Sequence, residues 1–255
     1  MADAPPVARA DAWRTLASGL GQTLVTVGVV LLLYVVYQLW VTDLFTARDQ
    51  DRLADRLRTE WTAAPPAGDP APVPAPPAPV AVGRPYVVLH VPRLGEDWSR
   101  VVLEGTTEDQ LSQGPGHYAG TAAPGERGNA AFAGHRVGRG SPFLDLDALR
   151  PGDPVVVETA DGWFTYRVLG DPVTGDVTAD PSGIPGVQVV APSQTEVIAP
   201  TPGDPEAGPT GAYLTLTTCH PRYSAQQRLV VHAVLDGPGV TREQAPDGPP
   251  ALTEG

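Results

Sequence analysis

Residues 213–221 read Tyr-Leu-Thr-Leu-Thr-Thr-Cys-His-Pro and include Cys219, the only cysteine among 255 residues. Apolar and β-branched residues dominate this run, which predicts a buried strand that ends at the proline. A second such run, 228–235, follows after a short loop, so the two most simply form an antiparallel hairpin. Cys219 and Arg228 then lie at the same end of the sheet, where the guanidinium favours the thiolate form of the cysteine. Spacing alone leaves open another interpretation, a small buried apolar residue.

The same stretch resembles a known family signature. Residues 215–219, Thr-Leu-Thr-Thr-Cys, are similar to the Thr-Leu-x-Thr-Cys motif of sortases, and Arg228 stands where their arginine stands. His135, within Gly-His-Arg, matches the upstream histidine that sortases require. The longer phrase 218–228, Thr-Cys-His-Pro-Arg-Tyr-Ser-Ala-Gln-Gln-Arg, resembles the class E sortases of high-GC Gram-positive bacteria. The resemblance covers residues 85–235 and implies an all-β fold, the eight-stranded sortase barrel with short helices.

The resemblance also implies a division of roles. Cys219 would be the nucleophile that forms a thioester with the substrate. His135 would give a proton to the departing amine and take one from the incoming amine. Arg228 would stabilise the developing oxyanion. Candidate substrate-binding residues are Thr218, Tyr118 and His117.

Five histidines compete for the catalytic role. His90 and His232 lie within strand-like runs and are expected to be structural. His220 directly follows the cysteine, and adjacent strand residues point to opposite faces. His117, in a loop with glycine and proline, is the competitor of His135.

The cationic partner of the cysteine also has alternatives. Arg136 and Arg222 could replace Arg228, although Arg222 lies in the connecting loop and is expected to be solvated. No carboxylate that would orient His135 can be picked out from the sequence.

Composition excludes several classes of function. The net charge of −12 argues against nucleic acid as a partner, and one cysteine permits no internal disulfide. Asp171, Asp176 and Asp180 are scattered acids in a loop, which are more often solvated than calcium-binding. Because no phosphate-binding glycine loop is present either, neither a metal nor another cofactor is expected.

Residues 20–41 carry no charge and, at about 1.5 Å per residue, give roughly 33 Å of helix, enough to cross a bilayer. A cleaved signal peptide is the alternative, but its apolar region is usually only about 7–15 residues long. We therefore predict an uncleaved single-pass anchor in the cell membrane, after a cytoplasmic segment, 1–19. Counting arginines on either side would put the amino terminus outside. The sortase resemblance requires the opposite, an extracellular catalytic domain.

Residues 42–84 are predicted to lie outside the folded domain. Leu53, Leu57 and Trp61 recur every four residues, which favours a helix, interpreted as a solvated stalk rather than a self-association helix. The following proline- and alanine-rich segment, 65–85, predicts a stiff extended spacer of roughly 60 Å that holds the domain away from the membrane. Recognition by a proline-binding partner is a second interpretation.

The catalytic domain is predicted at 85–236. Many short strands with few helices favour a barrel or a sandwich. Short helices are expected at 106–112 and 142–149, and a disordered tail at 237–255.

Together these features suggest a membrane-anchored cysteine transpeptidase. By resemblance it would cleave a Leu-Ala-x-Thr-Gly-like or Leu-Pro-x-Thr-Gly-like sorting signal of a secreted protein between Thr and Gly. The Thr carbonyl would then be joined to an amine of the peptidoglycan precursor. One alternative is a pilin-polymerising sortase with a lysine acceptor. An alternative of another class is a non-catalytic surface β-domain that binds wall or protein ligands.

Overall fold

The computed structural model describes residues 7–37, 42–63 and 72–254 and divides into two units, Met1–Leu44 and Phe45–Gly255. Helix α1, Val7–Val36, occupies the first unit. One window of this helix, Ala17–Tyr34, has a mean hydropathy of 1.6 and is long and apolar enough to cross a membrane. Residues 38–41 of the predicted span lie outside the described residues.

The second unit is built mainly of short strands. Helix α2 spans Thr42–Ala63 and helix α3 spans Glu108–Leu111. Within the described residues the strands are Pro85–His90 (β1), Ser99–Glu104 (β2), Gly116–His117 (β3), Gly128–Ala133 (β4), Pro154–Glu158 (β5), Gly162–Val168 (β6), Val187–Val190 (β7), Ala212–His220 (β8), Gln227–Leu235 (β9) and Val240–Thr241 (β10).

Eight of these strands close into a barrel. They are hydrogen-bonded in the order β6-β5-β1-β2-β3-β4-β8-β9, and pairing between β6 and β9 closes the ring. β7 and β10 pair with the outer sides of β9 and β6. The pairs β2–β3 and β4–β8 are parallel, whereas the other ladders are antiparallel. The prediction of an eight-stranded all-β barrel is therefore confirmed.

The barrel is filled by large apolar side chains from nearly every strand. Phe132, Tyr166 and Leu214 are fully buried in this core. Each buried side chain of this size stabilises the fold by roughly 1.5–3 kcal/mol relative to an exposed one. The core therefore supports a rigid wall for residues at the strand ends.

Helix α2 packs on the outside of the barrel, so the prediction that it is a solvated stalk is wrong. Leu57 is buried against Val88 of β1 and Val101 of β2. Gln50 is also buried, and its side chain accepts a hydrogen bond from the Val101 amide and donates one to the Gln113 carbonyl. Strands β1 and β2 are covered on both faces, and the stripe of α2 that the sequence reveals is their outer cover.

The proline-rich segment, predicted to be an extended spacer between the membrane and the domain, lies against the barrel where the structure describes it. Residues 64–71 lie outside the described residues. Within the described part, Pro74 is buried, and the Pro72 carbonyl accepts a hydrogen bond from Gln244 at 3.2 Å. The described residues 72–84 therefore run along the barrel toward β1.

The predicted disordered tail is ordered. β10 pairs with β6, and a 3₁₀ turn at Pro250–Thr253 buries Ala251 against Trp163 and Val156. The tail has few apolar residues, which is why its composition indicated disorder. It folds because the exposed side of β6 presents an indole that it covers.

Glu158 of β5 joins α2 and the tail to the barrel. Its buried carboxylate accepts two hydrogen bonds from Arg58, at 3.1 and 2.8 Å, and one from Arg242 at 3.2 Å. His90 Nε2 lies 2.9 Å away. Burial acts to raise the pKa of this carboxyl, but the hydrogen bonds of His90 and Arg58 hold the pKa at about 2.

The predicted helix at 142–149 reduces to a 3₁₀ turn, Leu146–Ala148. Phe143, Leu146 and Leu149 are buried at three-residue spacing, which suits a tight turn better than an α-helix. The predicted helix at 106–112 is present as α3, and it begins with the capping box of Thr107 and Gln110.

Candidate active site

The site forms where β8 ends and β9 begins. The two strands make the expected hairpin, and Cys219 is directly opposite Arg228 in its ladder. Two hydrogen bonds hold the arginine side chain, from Nη1 to the carbonyls of Ala225 and Gln227, each at 2.9 Å. Because both bonds use Nη1, the guanidinium is fixed by the loop, while Nε and Nη2 have no hydrogen-bond partner within the described residues.

His135 reaches the same place from β4. β4 runs parallel to β8, with Ala133 opposite Thr217. Just beyond, the Gly134 amide donates to the Thr217 carbonyl at 3.0 Å, and the Thr218 hydroxyl donates to the Gly134 carbonyl at 2.8 Å. Continuing this register by one more step brings His135 level with the cysteine.

Gly134 is required by close packing at this turn. A Cβ atom there would lie only 2.6 Å from the ring of Phe143. The ring is part of the barrel core, so it cannot retreat without opening a cavity. The glycine before His135 therefore lets the chain pass over the core and aim the histidine at the pocket.

One pocket collects most of the predicted site residues. This active-site pocket has a volume of about 320 Å³. It is lined by Thr106, Leu111, Tyr118, Ala133, Gly134, His135, Thr217, Thr218, Cys219 and Arg228. The three predicted catalytic side chains thus share one concave surface with two of the three predicted substrate-binding residues.

The two binding candidates in the pocket are held firmly. The Tyr118 hydroxyl is 3.0 Å from the Thr217 hydroxyl, so the phenol ring is tied to the wall formed by β8. Thr218 is buried, and its hydroxyl donates a hydrogen bond to the Gly134 carbonyl. Thr218 therefore shapes the turn at His135 through its side chain.

His117 is not in this pocket. It is only 4% exposed, with Nδ1 2.7 Å from Glu104 and Nε2 2.9 Å from the Thr121 hydroxyl. Its ring also packs against Tyr86. Since both ring nitrogens are engaged, this position is incompatible with direct substrate contact. His117 is therefore not a substrate-binding residue in this arrangement.

A carboxylate that the sequence did not reveal lies beside His135. Glu108, at the start of α3, places one oxygen 3.4 Å from His135 Nε2 and the other 3.4 Å from Arg139. Among the described residues Nε2 has no hydrogen-bond partner, although it is buried. The only signal in the sequence was an acid in the first turn of a predicted helix, and nothing paired it with His135.

The alternative arginines are engaged elsewhere. Arg136 donates to His220, Asp147 and the Leu144 carbonyl and is buried away from the pocket lining. Arg222 forms an exposed ion pair with Asp145 at 2.7 Å. Of the three candidate arginines, Arg228 is the one that lines the pocket with the cysteine.

The fold and this arrangement match known proteins. Residues 89–236 match the family model described as the sortase domain. Sortase SrtE1 of Streptomyces coelicolor is 34% identical over 219 residues, which is 83% of this chain but only 55% of that protein. Sortase SrtE2 of the same organism is 33% identical over 225 residues, 86% of this chain and 81% of that protein. The chain thus spans about half of the length of SrtE1.

Solved structures agree with the sequence relatives. Sortase E from Streptomyces avermitilis is 39% identical with a TM-score of 0.55, and the match covers 68% of this chain and 99% of that one. SrtF sortase from Corynebacterium diphtheriae is 33% identical with a TM-score of 0.61, over 74% of this chain and 100% of that one. The family-model match contains the Cys219–Arg228 ladder pair, His135 and every barrel strand except the first residues of β1. The chain therefore belongs to the sortase family, with its class E members among the relatives it resembles.

Proposed function

We propose that the protein is a cysteine transpeptidase that transfers a secreted protein from its sorting signal to a cell-wall amine. The observation that supports this is the shared pocket of Cys219, His135 and Arg228. A nucleophile, a group that can both give and accept a proton, and a permanent cation are the parts that acyl transfer through a thioester needs. By resemblance to class E sortases, the signal is of the Leu-Ala-x-Thr-Gly type and is cut between Thr and Gly.

In the first half of the reaction the thiolate of Cys219 attacks the Thr carbonyl carbon. The carbonyl oxygen becomes an oxyanion, which accepts hydrogen bonds from the guanidinium of Arg228. His135 in its protonated form gives its proton to the glycine nitrogen as the C–N bond breaks. The products are a Thr–Cys219 thioester and a free peptide that begins with glycine.

In the second half an amine of the peptidoglycan precursor attacks the thioester carbonyl. Neutral His135 accepts the proton that the amine loses, and the Cys219 thiolate departs. Proton balance is restored because His135 is protonated again when the new amide forms. The thioester retains the reactivity of the broken peptide bond, so the transfer needs no other energy source and no cofactor.

The walls of the pocket suit an extended peptide. Tyr118, fixed by Thr217, would line the groove that holds the residues before the cleaved bond. Leu111 and Ala133 add apolar surface on the same wall. A groove of this kind orients the scissile carbonyl between Cys219 and Arg228, which is the positioning that makes the attack intramolecular in character.

Mass spectrometry of the full-length protein in detergent micelles tests the proposal. Incubation with a Leu-Ala-x-Thr-Gly peptide, without an amine, should give an acyl adduct on Cys219 together with the released glycine peptide. Adding an amine should consume the adduct and yield the transfer product. The variant Cys219→Ala should form neither.

Three outcomes would contradict this proposal. Binding of the peptide without an adduct or cleavage would favour the non-catalytic binding domain. Efficient transfer to a pilin lysine but not to a wall-precursor amine would favour a pilin-polymerising enzyme. Transfer by Cys219→Ala would exclude the cysteine as the nucleophile.

A further inference from the structure

The residues that directly follow the catalytic pair are also joined to each other. His135 is followed by Arg136, and Cys219 is followed by His220. Along parallel neighbouring strands, successive side chains alternate between the two faces. The register that brings the catalytic residues level on the pocket face therefore brings Arg136 and His220 level on the other face. Arg136 Nη1 lies 3.0 Å from His220 Nδ1.

Arg136 is anchored on its other sides. It is 3% exposed, its Nε donates to the Leu144 carbonyl at 3.2 Å, and its Nη2 donates to Asp147 at 2.6 Å. A guanidinium carries only donors, so His220 Nδ1 must be the acceptor. Asp147 offsets the buried positive charge.

The backbone alone does not fix His135 relative to Cys219. The ladder between β4 and β8 ends with the hydrogen bonds of Gly134. The chain then enters a loop in which Arg139 and Ser141 have positive φ angles of 55° and 43°. Beyond the ladder, the Arg136–His220 hydrogen bond is a side-chain link between the segment that carries the histidine and the segment that carries the cysteine. Arg222 adds exposed contacts from the second segment to Asp145 and Asp147 of the first.

We infer that Arg136 and His220 are a positioning pair that holds His135 within proton-transfer reach of the Cys219 site. The inference rests on the proposed transpeptidase function. Neither residue lines the active-site pocket, so their effect is exerted through the residues that precede them. His220 thereby gains a role that its position next to the cysteine could not indicate.

Loss of the pair should lower turnover more than substrate binding. A shift of about 1 Å in a catalytic group can cost on the order of a hundredfold in rate. The peptide would still meet Tyr118 and Thr217, which do not contact the pair. We therefore expect kcat to fall by about tenfold to a hundredfold, while KM for the signal peptide stays within about threefold.

Substitutions at His220 separate this role from general stability. His220→Leu keeps the bulk but removes the acceptor, and should give the loss of kcat. His220→Asn places an amide oxygen near the position of Nδ1, and should restore most of the rate. Arg136→Lys keeps the charge but gathers its donors on one nitrogen, which cannot replace the separate Nε, Nη1 and Nη2 contacts of the planar guanidinium, and should behave like His220→Leu if it folds.

Alkylation of Cys219 by iodoacetamide provides a readout that does not depend on turnover. In the full-length protein, the rate against pH should differ between wild type and His135→Ala, because the thiolate and the imidazolium influence each other. The His220→Leu profile should move toward that of His135→Ala, and the His220→Asn profile should match wild type. Identical profiles for wild type and His220→Leu would overturn the inference.

A nearby control excludes a general effect of the loop. Arg222→Gln removes the exposed ion pair with Asp145 and the longer, 3.5 Å contact with Asp147, but spares the hydrogen bonds of Arg136 with His220 and with Asp147. It should keep kcat and the alkylation profile of wild type. Equal losses in Arg222→Gln and His220→Leu would overturn the positioning role. A wild type without cleavage or transfer would instead refute the proposed function, and the alkylation profiles would still decide whether the pair positions His135.

Discussion

His232 shows how one buried residue couples a polar network to pH. Its ring is fully buried in β9, with Nε2 3.0 Å from Gln188 and Nδ1 2.9 Å from the Thr215 hydroxyl. The Gln188 amide donates, so Nε2 accepts and Nδ1 carries the proton. The Thr215 hydroxyl then donates to Asn129 at 2.8 Å. The network is satisfied only when His232 is neutral, and burial lowers its pKa to about 4.

This histidine should destabilise the fold in mild acid. In the unfolded chain His232 is protonated below its ordinary pKa of 6.5, whereas in the native chain it stays neutral until the pH is near 4. The free energy of unfolding should therefore fall as pH drops from about 6.5 to 4, by about 3 kcal/mol at 1.36 kcal/mol per unit. Urea unfolding of the wild type and of His232→Gln, in detergent micelles at several pH values, measures the difference.

The His232→Gln variant is the control for the wild type, since glutamine does not titrate. Its unfolding free energy should be lower at pH 7 but should depend less on pH in this window. If both proteins lose stability in parallel between pH 6.5 and 4, the acid sensitivity originates in other groups.

At the scale of elements, the sequence predicted strands, but it did not predict that α2 and the C-terminal tail pack on their outer side. The apolar and β-branched runs at 213–221 and 228–235 predicted β8 and β9, because those signals are local. The apolar stripe of α2 was visible too, but nothing local says which surface it meets. A clue lay in β1, where Val87, Val88 and Leu89 form a continuous apolar run, as expected of a strand buried on both faces.

Docking of α2 can be tested by truncating its central contact. Leu57→Ala removes a buried side chain that packs on Val88 and Val101, and should lower the free energy of unfolding by about 2–5 kcal/mol. Arg56→Ala, on the exposed side of the same helix, should change it by less than about 0.5 kcal/mol. Equal small effects would mean that the helix does not contribute to the folded unit.

At the scale of the whole molecule, the site was predictable only in part. The motif and family resemblance placed Cys219, His135 and Arg228 without any geometry. Glu108 and the Arg136–His220 pair depend on the register of distant strands and on a loop after β4, which no local pattern encodes. His117 was misjudged because its loop sequence gave no sign of the Glu104 carboxylate that holds it.

Topology of the whole chain remains a proposal with a direct test. We propose that the window Ala17–Tyr34 anchors the protein and that the barrel is extracellular. Protease treatment of intact protoplasts should then remove the barrel, whereas a cytoplasmic marker protein survives. Protection of the barrel would support the opposite orientation, which the arginine count favours.

The convergence of Arg58 and Arg242 on Glu158 bears on how the protein can be produced without the proposed anchor helix. A soluble fragment cut at the predicted boundaries, 85–236, would lose both arginines and leave a buried carboxylate with His90 alone. Removal of α2 would also expose Val88 and Val101 and create an apolar surface prone to aggregation. A fragment for crystallisation should begin at Phe45 and end at Glu254, so that α2 and the C-terminal tail both remain packed against the barrel.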